Sequence, residues 1–300
     1  MVLCAAAGLA WWRWSLAPPP QAERAPVPAP RPAAPAVEIG EAGVAQLLQG
    51  PATPDWRVHR LRGNAAVLVI EFPGLLAQGE AMNRIAALLE KNGASRDRVL
   101  NDAELQALVR ASGDNTSTFY LGHDYEAEGL ARFFHLAQSQ GVRLAPAELR
   151  LRQLLLDARL LAQAGQGTEP AYRAAGPGAL VSFSAAQADD PATTPDESMD
   201  ERRRASVLRH ELSHGEFFTN AAYRAHCWSF WRRLSDAERA SWRRYLRQLG
   251  YDSANETLMV NEAQALLMHT PDTRDFDAAA LGVSMTELEA MRMRFQLSVP

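Results

Sequence analysis

The pentapeptide His210-Glu211-Leu212-Ser213-His214 constrains this chain more than any other feature of it. Its two histidines are four residues apart. On an α-helix such positions lie about 40° apart around the axis and one turn apart along it, so both imidazoles reach the same point. The flanking residues fit a helix running from Asp200 to about Phe218, with Val207 and Leu208 making it partly buried. With 7 histidines in 300 residues, chance produces this spacing only about once in a hundred such chains.

The rest of the chain divides into a strand-containing half and a helical half. Val44 to Leu48 reads as a short helix. Trp56 to Phe72 reads as two strands turning at Gly63-Asn64, the second carrying the β-branched, apolar run Val67-Leu68-Val69-Ile70. Helical periodicity covers 75–90, and Asn101 caps a helix over 102–111. A strand is predicted at 118–121 and a helix over 127–140, closed by Gly141. A longer helix opens at Pro146 and runs to Ala164. Residues 179–184 read as a strand and 187–198 as a polar loop. Beyond Met199 the chain is read as helical, with segments over 200–218, 223–234, 236–249, 255–269 and 286–296. Ser235 and Glu238 form a capping box, and Gly250 and Pro271 are stops. The predicted class is α+β.

Two imidazoles and an adjacent carboxylate on one helix face are the parts of a hydrolytic zinc site. His210 and His214 are the ligands. Glu211 is the general base for water whose pKa zinc lowers to about 7. A third protein ligand is needed, which leaves the fourth position open. Glu256 lies at a helix start, where an acid favours the dipole. Glu216 points roughly 200° away from His214 on its helix and reads as a salt-bridging residue. A metal-bound histidine usually passes its other N–H to an acceptor, and Asn261 or Asp252 is a candidate. Tyr223, His226, Tyr251 and His269 are candidates for meeting an oxyanion. Of these, His269 and Tyr223 are taken as catalytic, His269 lying two turns beyond Glu262. His123-Asp124 reads as a turn with a structural aspartate. The arginines of Glu201-Arg202-Arg203-Arg204 and Arg243-Arg244 read as solvated helix faces.

A helix bearing HExxH, preceded by a strand and followed by Asn261-Glu262-Ala263-Gln264-Ala265 on a later helix, resembles the zincin metallopeptidases, and among them the gluzincins. The likeness spans about residues 178–270 in outline. The 48 positions from His214 to Glu262 hold about two helices more than the thermolysin-like pattern. The resemblance implies a zincin-like fold, Glu262 as the third Zn2+ ligand, and a peptide or protein substrate. It also implies that the strand at 180–184 forms the upper edge of the cleft and pairs with extended substrate. A metzincin would carry a third histidine six residues past His214, where this chain has Asn220. The competing expectations are a zincin-like domain that binds zinc or a partner without turnover, and a helical scaffold with a chance motif.

Composition adds organisation and exclusions. Residues 1–17 are apolar and rich in tryptophan, and read as a truncated signal or membrane anchor. Residues 18–39 form a Pro/Ala-rich linker. A single domain is expected over 40–300, with a sheet-containing part at 40–198 and a helical part at 199–300. That order predicts an exported or membrane-tethered protein of a bacterial envelope. The net charge of -4 speaks against a nucleic-acid partner. The two cysteines, Cys4 and Cys227, form no CxxC pair, so no thiolate zinc knuckle is expected.

Overall fold

A computed structural model of the chain describes residues 38–50, 53–163 and 171–297. These all belong to one compact unit, so the two halves form a single body. The sequence readings on residues 1–17 and on most of 18–39 lie outside the described residues. Among the described residues, no helix is long and apolar enough to cross a membrane.

The fold is α+β, built on a five-stranded mixed sheet. Its strands are β1 (Ile39–Ala42), β2 (Arg57–Leu61), β3 (Asn64–Phe72), β4 (His123–Glu126) and β7 (Ala179–Ser184). Their order is β1-β2-β3-β7-β4. β2 and β3 form the expected antiparallel hairpin. β7 runs parallel to β3, and β4 runs antiparallel to β7 at the edge.

β3 shows how the sheet holds two layers together. Successive side chains on a strand point to opposite faces. Leu68, Ile70 and Phe72 therefore pack on one side with α2 (Leu75–Leu89), α4 (Ala127–Ser139) and α5 (Pro146–Asp157). Val67 and Val69 pack on the other side with Val207, Leu208 and Leu212 of α6 (Glu201–Thr219). Each such fully buried aliphatic side chain contributes about 1.5–3 kcal/mol, which explains why β3 is apolar on both faces.

α6 carries the motif and lies directly on the sheet. At Gly215 an added Cβ would come within 3.0 Å of Val67 and 3.5 Å of Val181, so the absence of a side chain lets the helix settle there. Its other side packs against α9 (Glu256–His269). α7 (Ala221–Arg233), α8 (Asp236–Gln248), α10 (Ala278–Leu281) and α11 (Met285–Gln296) complete the helical half. Trp231, Trp242, Met259, Leu266, Phe276 and Phe295 are among its core.

Several expectations need correction. Residues 118–121 are not a strand; the strand begins at His123. The helix from Pro146 stops at Asp157. Beyond it, β5 (Leu161–Gln163) pairs with β6 (Tyr172–Ala174) in a separate two-stranded sheet, with Arg159 at φ 53° turning the chain. β1, α3 (Asp102–Ala111) and α1 (Val44–Gln49) complete the set; α1 and α3 match the sequence reading, while β1 and α10 were unforeseen. β7 is not the rim of the sheet: it is paired on both sides, and β4 is the edge strand. Arg204 is not on a solvated face. It is buried, ion-paired to Glu71 at 2.6 Å and donates to the carbonyls of Leu47 and Leu48, fastening α6 to β3 and α1.

Candidate metal centre

Strand register explains why β4 belongs to the site. Asp124 is opposite Val181 in the antiparallel pair. Cross-strand partners share a face, and Val181 faces α6. Asp124 therefore points at α6, where its Oδ2 lies 3.6 Å from His214 Nε2. Its Oδ1 accepts from Asn261 Nδ2 at 3.3 Å, joining β4 to α9. Asp124 was read from sequence as a turn residue; pairing with β7 places it beside the motif instead.

The motif histidines and Glu262 converge. His210 Nε2 and His214 Nε2 are 3.0 Å apart. Glu262 Oε2 lies 3.7 Å from His210 Nε2, and Glu262 Oε1 lies 3.8 Å from His214 Nε2. A tetrahedral ion with bonds of about 2.0–2.1 Å holds its donors about 3.3–3.4 Å apart. The observed separations straddle that value.

The protonation pattern also fits a cation. Thr270 Oγ1 donates to the Ala265 carbonyl, so toward His210 it acts as an acceptor, at 2.8 Å from Nδ1. His210 Nδ1 then carries the proton, and its Nε2 lone pair faces the cluster. Neither oxygen of Glu262 has a hydrogen-bond partner within 3.5 Å, the Tyr251 hydroxyl approaching it more loosely, and nor has Glu211 Oε2. Buried acceptors without donors are costly. A divalent cation held by two imidazoles and a carboxylate would satisfy the atoms of Glu262.

Four carboxyl groups crowd this region: Glu90, Asp124, Glu211 and Glu262 are all buried. Among the described residues, no lysine or arginine forms an ion pair with any of them. Burial raises Glu211 well above the usual carboxylate range, and the charges of Asp124, Glu262 and Glu90 add to that. Burial raises Glu262 too, against the pull of His214 and of the nearby Tyr251 hydroxyl. Asp124 is pushed up to about 7, chiefly by burial, with the attraction of His214 opposing. Burial pushes His210 down to about 4, which keeps it neutral and able to bind a metal.

Glu211 is held by a close contact. At Gly122 an added Cβ would fall 2.5 Å from Glu211 Cδ and 2.7 Å from Cγ, so only glycine leaves space for the carboxylate. Gly122, His210, Glu211 and Tyr251 all line one cleft of about 710 Å³. Its other walls include Lys91, Phe119, Tyr120, Arg203 and Arg274.

The remaining sequence candidates fall elsewhere. Tyr223 donates to Gln264 Oε1 at 2.6 Å and lies 3.0 Å from His269 Nε2. The two residues are thus bonded to each other behind the site, and neither lines the cleft. Gln264 continues the chain through Ser213 Oγ at 3.1 Å to the His210 carbonyl at 2.7 Å. This network braces α6 against α7 and α9, a structural placement in contrast to the catalytic one predicted for Tyr223 and His269. Of the four oxyanion candidates, Tyr251 alone lines the cleft beside Glu262. Glu256 pairs with Arg243 and accepts from Trp231, and Glu216 accepts from Asn64, so neither turns to the metal position. Asp252 is occupied by Arg96 at 3.0 Å and supports no histidine. Sequence reasoning missed Asp124, Gly122 and Thr270; the polar step His123-Asp124 was the one signal available.

Comparison with protein-family models, with curated proteins and with solved structures finds no match.

Proposed function

We propose that the protein is a zinc-dependent hydrolase of peptide bonds with a zincin-like, gluzincin-type site. The convergence of His210, His214 and Glu262 beside a buried, cleft-facing Glu211 carries this reading. Zinc bound there supplies a Lewis acid and lowers the pKa of its water to about 7.

The chain's own residues do the rest. Thr270 orients His210 and selects its tautomer. Asp124 and Asn261 tie β4 and α9 together around His214. Glu211 takes a proton from the attacking water and passes it to the leaving amine. Tyr251, which lines the cleft, takes the role of meeting negative charge on the carbonyl oxygen that sequence gave to His269 and Tyr223. A peptide substrate is supported by the likeness of the HExxH helix and the Asn261–Ala265 segment to the zincin metallopeptidases.

Two measurements test the proposal together. Metal analysis of purified protein should give one zinc per chain. Cleavage of a peptide mixture, read by mass spectrometry, should vanish in Glu211→Gln while the zinc stays. Absence of stoichiometric zinc ends the reading at the metal. Cleavage that persists in Glu211→Gln ends the proposed mechanism.

A further inference from the structure

Lys91 is the one lysine in the chain. It lies two residues beyond α2 and lines the same cleft as His210 and Glu211. Its side chain is only 4% exposed. Nζ sits 4.2 Å from the centroid of the Phe119 ring and 5.0 Å from that of Tyr120. Among the described residues no carboxylate lies within ion-pairing distance of it; Asp114 and Glu90 attract it only through space.

The backbone is arranged around this amine. Lys91 bridges Tyr251 in antiparallel fashion, Asn92 N donates to the Gly250 carbonyl at 2.7 Å, and Asp252 N donates to the Glu90 carbonyl at 2.9 Å. Gly250 has φ +91°, and an added Cβ there would lie 2.6 Å from Nζ. A side chain at 250 would thus displace the amine. The wall is continuous with the metal position, since Tyr120 and Tyr251 stand ring to ring at 5.7 Å and Tyr251 approaches Glu262.

Taking an ammonium out of water is expensive unless it is paired. Aromatic faces compensate in part, but an ammonium has three N–H donors, and rings do not satisfy them as acceptors would. Lys91 lines the cleft, and an acceptor for its remaining donors can enter there. A surface lysine read as a solvated charge would not be nine-tenths buried, and a lysine serving only to pack would be expected to pair with an acid.

We propose that the Lys91 ammonium is a specificity residue that binds a carboxylate of the substrate at a fixed distance from the scissile bond. The cleft would then select peptides carrying an acidic side chain or a free C-terminal carboxylate. This rests on the peptidase reading above. Both carboxylate sources offer the same chemistry, and they are separable by experiment.

The test uses zinc-loaded Glu211→Gln protein, which reads binding without requiring turnover. The probes are dye-labelled hexapeptide pools with Glu or Gln fixed at each position in turn, each made with a C-terminal acid or amide. Fluorescence anisotropy gives the affinities. The expected result is at least about tenfold tighter binding for one charged pool than for its neutral twin, the scale of a charge-assisted hydrogen bond. That ratio should fall to about one when Lys91→Met is added. A preference confined to Glu pools identifies a side-chain carboxylate, and one confined to acid-terminated pools identifies a chain terminus. Equal binding of charged and neutral pools overturns the proposal, as does a ratio that survives Lys91→Met. Zinc content and thermal melting report whether that variant is folded; if it is not, Lys91→Gln provides the same comparison. Turnover of the same pools by the unsubstituted protein is scored separately. Failure there, with the binding ratio intact, would count against the peptidase reading and not against Lys91.

Discussion

Replacing Glu262 by Gln should weaken zinc binding and strengthen the metal-free fold, two effects of opposite sign from one substitution. Glu262 is 1% exposed, neither oxygen has a partner within 3.5 Å although the Tyr251 hydroxyl approaches, and it shares its surroundings with Asp124, Glu211 and Glu90. Gln has almost the same shape, carries no charge and adds an N–H2 that can donate to the imidazole nitrogens 3.7 and 3.8 Å away. Removing an unsatisfied buried group of this kind gains about 1–3 kcal/mol. For a domain of this size each kcal/mol moves Tm by about 2–4 °C, so the chelator-treated variant should melt about 2–12 °C above the chelator-treated parent. With zinc the order reverses. A ligand at a thousand times its Kd stabilises by about 4 kcal/mol. Losing one of three protein donors should cost more than the 10–100-fold typical of the groups that merely orient a ligand. Melting by calorimetry with and without excess zinc, together with a competition titration of zinc affinity, reads both halves. A variant that binds zinc as tightly as the parent removes Glu262 from the ligand set. A variant that melts lower without metal refutes the account of the carboxylate cluster.

Three further outcomes follow from the same geometry. Gly122→Ala drives a methyl group into Glu211 and should displace its carboxylate by roughly 1 Å, costing about 10²-fold in kcat/KM with zinc content unchanged; activity within threefold of the parent would mean that Glu211 is not held by this contact. Thr270→Val keeps the shape but removes the acceptor for His210 Nδ1, and zinc affinity measured by competition should fall about 10–100-fold; an unchanged affinity would show that Thr270 does not set the tautomer. His269 is pushed down to about 4, mainly by burial and then by the proximity of His210. The unfolded chain, with an ordinary histidine pKa of about 6.5, therefore binds the extra proton between these values, and stability contributed by neutral His269 is lost as pH falls from about 6.5 toward 4. His269→Gln should reduce the slope of unfolding free energy against pH in that window by up to about 1.4 kcal/mol per unit in metal-free protein, measured by urea titration; an unaltered slope would place the transition on other groups, His123 among them.

The parts of the site legible in sequence are those that local periodicity dictates. The spacing of His210 and His214 implies a helix, and a helix brings both imidazoles together whatever surrounds it. The helical half was readable for the same reason: Asn101, Ser235 and Asn255 cap their helices through bonds to residues three positions on, and such signals lie within one turn. The α+β division followed from the same local patterns.

What the sequence did not disclose depends on pairing between distant segments. Whether 179–184 is an edge or an interior strand is decided by β4, more than fifty residues earlier, adding to its free side. That pairing turns Asp124 toward His214 by register, and nothing local to His123-Asp124 distinguishes it from a turn. Tyr223 and His269 have the right chemistry for catalysis, yet the packing of α7 on α9 points them at each other. Gly122, Thr270 and the carboxylate cluster owe their meaning to contacts across about 30 to 170 positions of chain. The sequence by itself determined that a helix exists and that it carries His210, Glu211 and His214 within about one turn. Only the tertiary structure decided that Asp124 joins the cluster, which glycine makes room for Glu211, and that Lys91 lines the cleft, because those depend on side chains that meet through space after the sheet and helices have packed.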